Sequence, residues 1–111
     1  MYKLTLNRVH DRVRITEGDE RIELRVDADP MRMVVGLNEA QRRLKTITDD
    51  TTVGERDDIA LYFAGVIFGE SQADTLWNFY HRDAACVINV CGRYFSDRLA
   101  KLIEKAQRRM R

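Results

Sequence analysis

The stretch Arg21–Leu37, RIELRVDADPMRMVVGL, decides the fold. Up to Asp27 it alternates: Ile22, Leu24 and Val26 are apolar, and Glu23, Arg25 and Asp27 between them are charged. A period of two belongs to a strand with one face buried. Beyond Asp29-Pro30 the period changes. Val34, Leu37, Ala40, Leu44 and Ile47 recur at steps of three and four, which places them on one face of a helix. Asp29 is suited to cap the free amides of a first turn, and Pro30 to take the first helical position, where no donor is needed. The chain therefore switches from sheet to helix at Asp29. An α+β fold follows, with strands over residues 1–28 and helices over 29–111 of a single domain.

Towards the N-terminus the alternation continues. Tyr2, Leu4 and Leu6 alternate with Lys3, Thr5 and Asn7, and Val9, Val13 and Ile15 resume the pattern. Glu17-Gly18-Asp19-Glu20 reads as a turn, with Gly18 or Asp19 able to take a positive φ. The expectation is an antiparallel hairpin or small meander. Two strands alone are marginal in water, so their apolar face must rest on the helices. The free edge of such a hairpin also allows pairing with a neighbouring subunit.

Towards the C-terminus the pattern predicts a loop or cap over Thr48–Thr52 and a second helix from Glu55 to Phe68. Ile59, Tyr62, Phe63, Val66 and Ile67 give that helix a wide apolar face, so it should lie centrally. Gly69 ends it. Ser71 with Asp74 reads as the capping box of a short third helix carrying Leu76, Trp77, Phe79 and Tyr80, which stops at His81-Arg82-Asp83. A long last helix should run from Asp83 to beyond Gln107, roughly 25 residues and ~37 Å. Its final turns are rich in charge and are expected to project beyond the core.

Composition bounds the function. Hydrophobic residues make up 44% and charged residues 33%, a globular balance rather than a disordered one. A net charge of +1 gives no global drive towards nucleic acid. Charge is unevenly spread, however. Residues 51–91 hold two basic against six acidic groups, and residues 92–111 hold seven basic against two acidic. No run reaches the ~18 apolar residues that cross a bilayer, and the alternating N-terminus is unlike a secretory leader.

Residues with catalytic potential have plainer readings. Cys86 and Cys91 do not share a helix face and read as free thiols in a reducing compartment. With His81 they form a poor ligand set, so no metal is expected. Asp57 and Asp58 suit the first turn of a helix better than an acid–base pair facing one cleft. Gly65 and Gly69 lack the lysine of a phosphate loop. The expectation is a non-enzymatic chain with no cofactor. Arg93, Arg98, Lys101, Lys105, Arg108, Arg109 and Arg111 could be solvated, meet an acidic protein or contact phosphates. A small nucleic-acid-binding regulator using this basic helix is the alternative function.

Three runs carry a resemblance: Phe68-Gly69-Glu70-x-Gln72-Ala73-x-x-Leu76 followed by Phe79-Tyr80; Cys91-Gly92-Arg93-Tyr94-Phe95-x-x-Arg98-Leu99; and Lys105-Ala106-Gln107. Over roughly the C-terminal 45 residues the chain resembles small tail assembly proteins of siphophages and prophages of Gram-positive bacteria. Ala84-Ala85-Cys86 departs from that pattern. The resemblance implies a cytoplasmic assembly chaperone in a bacterial host that binds the tail tape-measure protein and need not act as a monomer. It carries over no binding residue. Phe68, Trp77, Tyr80, Tyr94, Arg98, Lys101 and Lys105 are the candidate partner-binding residues here. The aromatic ones could form part of a groove for an amphipathic helix, and the basic ones could orient a partner.

Overall fold

In a computed structural model, which describes Met1 and residues 7–109, the period switch falls where the sequence places it. Two antiparallel strands, β1 (Val9–Glu17) and β2 (Glu20–Ala28), form a hairpin. The alternation expected at Tyr2, Leu4 and Leu6 lies outside the described residues. Gly18 takes the positive φ of the turn, at 60°, which suits the first central position of a two-residue hairpin loop. The apolar face of the hairpin, Val9 and Ile15 on β1 with Leu24 and Val26 on β2, is buried against the helices. The charged face points outwards.

Helix α1 (Pro30–Leu44) starts as its sequence indicates, with the Asp29 carboxylate accepting from the Met31 amide. It stops one turn short of Ile47. Thr46 donates its hydroxyl to the Arg43 carbonyl at 2.6 Å, and that contact closes the end. Helix α2 (Val53–Phe68) begins two residues before Glu55 because Thr52 caps it, accepting from the Glu55 amide at 3.1 Å. Ile59, Ala60, Phe63, Ala64, Ile67 and Phe68 are all buried. That set covers about half of the helix circumference, and α2 packs on α1, on β2 and on both following helices.

Helix α3 (Glu70–Phe79) follows with no loop. Gly69, at φ 85° and ψ 160°, ends α2 and opens α3 as a single-residue corner. The expected Ser71–Asp74 capping box does not form: α3 starts at Glu70, and its first turn has no side-chain cap. The corner that glycine's backbone freedom permits leaves no extended residue for a side-chain cap. Gln72 instead faces the sheet. Its amide accepts from the Arg25 N–H at 2.7 Å and donates to the Arg25 carbonyl at 2.6 Å. A side chain thus pairs with the outer edge of β2 as a third strand would.

Residues 84–108, 25 in all, form one long helix, as the sequence indicates. It comprises α4 (Ala84–Tyr94), a π-helical turn (Phe95–Leu99) and α5 (Ala100–Arg108). Asp83 caps it, accepting from the Cys86 amide. The expected projection beyond the core is not observed: α5 packs on α1 and β1, with Ile103 and Ala106 buried. Its apolar residues are few but lie on one stripe, and a narrow stripe is enough to dock a helix.

Candidate functional site

The π turn organises the site. Val87, Cys91, Phe95, Leu99 and Ile103 are buried or half-buried at uniform steps of four. An α-helix advances about 100° per residue, so each step of four overshoots a full turn by about 40°. Over four steps the stripe would migrate to the far side of the helix. A wider turn takes up part of that drift, and here the Ala100 amide reaches back to the Phe95 carbonyl, five residues earlier. The stripe stays on the core, and two local arrangements result.

The first is a polar anchor. Asp11 lies on the inward face of β1, in phase with Val9 and Val13, and its side chain is only 6% exposed. It accepts from the Tyr94 hydroxyl at 2.7 Å, from Arg98 Nε at 2.6 Å and from the Arg12 amide at 2.9 Å. Burial alone would raise the Asp11 carboxyl, but the hydrogen bonds from Arg98, Tyr94 and Arg12 outweigh it and hold the group below its usual range. Tyr94 moves the opposite way. Burial, followed by its bond to the Asp11 carboxylate, pushes its phenol well up. The cluster ties β1 to the long helix.

The second is an apolar groove of about 270 Å³ between α1, α2 and the long helix. Leu37, Leu44, Phe63, Ile88 and Phe95 supply its apolar walls. Asn38, Gln41 and Ser96 supply polar groups at its margin. A Cβ built on Gly92 would meet nothing within 4 Å, so the missing side chain leaves the groove open there. The volume falls below the ~300 Å³ at which pockets for whole small molecules begin. It fits one or two apolar side chains.

The candidate residues read from the sequence divide. Phe68 is buried and stacks on Tyr94, with ring centroids 5.8 Å apart. Tyr94 and Arg98 belong to the anchor. Trp77 and Tyr80 are half-buried against the core and lie away from the groove lining. Lys101 and Lys105 are exposed on α5. The groove's lining residues are not among the partner-binding candidates read from the sequence. Their signals were Gly92 inside an otherwise apolar helical run and the steps of four through Phe95.

The remaining reactive side chains are quiet. Burial pushes the Cys91 thiol up to about 12. Burial, with the nearby Asp83 carboxylate, raises that of Cys86. On the long helix, Arg98 pairs with Asp11 and Arg108 with Glu104. Arg93, Lys101, Lys105 and Arg109 have no carboxylate within ion-pair distance among the described residues. Among the described residues no helix is long and apolar enough to cross a membrane. No family model, curated protein or solved structure matches the chain.

Proposed function

We propose that this chain is a non-enzymatic protein-binding protein whose groove between α1, α2 and α4 holds an apolar, helix-forming segment of a longer partner. The groove carries the reading: it is apolar within, polar at its margin and sized for side chains. Amphipathic helices bind such surfaces by inserting residues spaced three and four apart. The thiols of Cys86 and Cys91, both held protonated near neutral pH, argue against a cysteine nucleophile. The occupied ion pairs of Arg98 and Arg108 reduce the charge that the basic helix can offer to nucleic acid, which counts against the alternative. The resemblance of residues 68–107 to tail assembly proteins supplies the partner, the tape-measure protein of a phage or prophage tail, met in the cytoplasm of the bacterial host. Several copies on one long partner fit the same reading.

The test is co-expression with the encoded neighbours and purification through a tag on this chain. The expected result is a stable complex with a long helical protein, weakened at least tenfold when Gly92→Leu fills the groove. A partner that stays soluble alone, with no neighbour co-purifying at low salt, would end the chaperone reading. A complex indifferent to Gly92→Leu would move the site elsewhere.

A further inference from the structure

The outward face of the hairpin carries His10, Arg12, Arg14 and Thr16 on β1, and Arg21, Glu23, Arg25 and Asp27 on β2. Two of the four rungs of this ladder are compensated. Arg14 pairs with Glu23 across the strands at 2.8 Å. Asp27, opposite His10, takes Arg8 Nε at 2.6 Å. Between these two rungs Arg12 stands directly opposite Arg25.

The backbone makes that rung a close one. The Arg25 N–H and C=O both bond to Gln72 and so point away from β1. The Arg12–Arg25 rung is therefore of the non-hydrogen-bonded kind, in which facing Cα atoms are only about 4.5 Å apart. Like charges facing each other there destabilise a sheet. Among the described residues neither guanidinium has a carboxylate within ion-pair distance. Both residues are exposed, so packing does not demand the arrangement. Shallow grooves of about 490 and 330 Å³ open on the hairpin, and Arg12 and Arg25 line both.

We propose that Arg12 and Arg25 form a binding site for a phosphate dianion, held between two guanidinium groups across the hairpin. Two guanidinium forks offer two positive charges and a set of N–H donors. These match a phosphomonoester, with its charge near −2 and its several acceptor oxygens. A lone carboxylate, with one charge and two oxygens, is satisfied by a single fork. The Arg14–Glu23 and Arg8–Asp27 ion pairs hold the nearest outward carboxylates on either side, and Gln72 fixes the backbone of Arg25. The ligand is either free phosphate or a phosphorylated side chain of a partner. This site is independent of the apolar groove and stands or falls separately from it.

The experiment follows the arginine Nε–H signals of the full chain by NMR while inorganic phosphate is added, with chloride at matched ionic strength as the reference. Saturable shifts at Arg12 and Arg25, absent at Arg21, are expected. Arg25→Gln should weaken phosphate binding at least tenfold. Arg12→Glu should abolish it without lowering Tm, because the new carboxylate faces Arg25. A phosphoserine peptide saturating at lower concentration than phosphate would identify the source as a modified partner, and equal concentrations would identify free phosphate. No saturation by roughly 10 mM phosphate, equal shifts at Arg21, or saturation only by duplex DNA would overturn the proposal.

Discussion

Asp11 is the residue on which the hairpin's attachment most depends. It sits at an inward strand position, where a carboxylate is costly unless hydrogen-bonded, and three donors converge on it. Asp11→Asn should therefore cost about 2 kcal/mol, since an amide that keeps its oxygen on Tyr94 and Arg98 turns its NH2 against the Arg12 N–H and brings no charge to Arg98. Urea unfolding measures it. The same cluster sets two pH limits. The Asp11 carboxyl is lowered from 3.8 in the folded state, so its stabilisation is complete above that value and is lost as pH falls further. The Tyr94 phenol is raised from 10.0, so its contribution is complete below that value and is lost as pH rises above it. The unfolding midpoint should decline at both ends, and Tyr94→Phe should flatten the alkaline decline and weaken the acid one, since the phenol is also one of the donors that lower Asp11. His81 gives a prediction of opposite sign. It takes φ 56° just after α3, with its amide bonded to the Asn78 carbonyl and that of Arg82 to the Trp77 carbonyl. This helix ending favours glycine at the position His81 holds. Because His81 is exposed, His81→Gly should stabilise by about 1 kcal/mol, visible as a rise of a few degrees in Tm.

At the scale of elements, periodicity alone reveals the strands and helices. The switch at Asp29 needs only alternation on one side and steps of three and four on the other. What stayed hidden depends on tertiary partners. Asp11 shares a face with Val9 and Val13, and the only hint in the chain is a charge out of phase with its neighbours. The Gly69 corner was legible as a stop but not as a start, because Ser71 and Asp74 imitate a capping box. The π turn was written in the uniform spacing of Val87, Cys91, Phe95, Leu99 and Ile103, which a test for ordinary helical period accepts without complaint. The groove residues come from three elements, and no local pattern joins them. Gly92 tests the account at this scale. Gly92→Ala should stabilise the long helix by about 1 kcal/mol, since the added methyl enters open space. Thermal melts would show it, and a loss of stability would mean that the site is closed.

On the whole molecule, two surfaces of different chemistry lie outside the core. One is the apolar groove between α1, α2 and the long helix, and the other is the arginine rung on the outward face of the hairpin. The anchor at Asp11 and the buried Phe68–Tyr94 stack account for three of the residues first suspected of meeting a partner. Those residues hold the frame in which the groove is shaped. The central claim is that this groove is where a partner's helix binds. Hydrogen exchange of the purified complex against the free chain tests it most directly. The account predicts added protection in 37–44 and 88–96, the segments that line the groove, with the hairpin unchanged. Protection confined to the hairpin or to α5, with the groove segments exchanging as in the free chain, would contradict it.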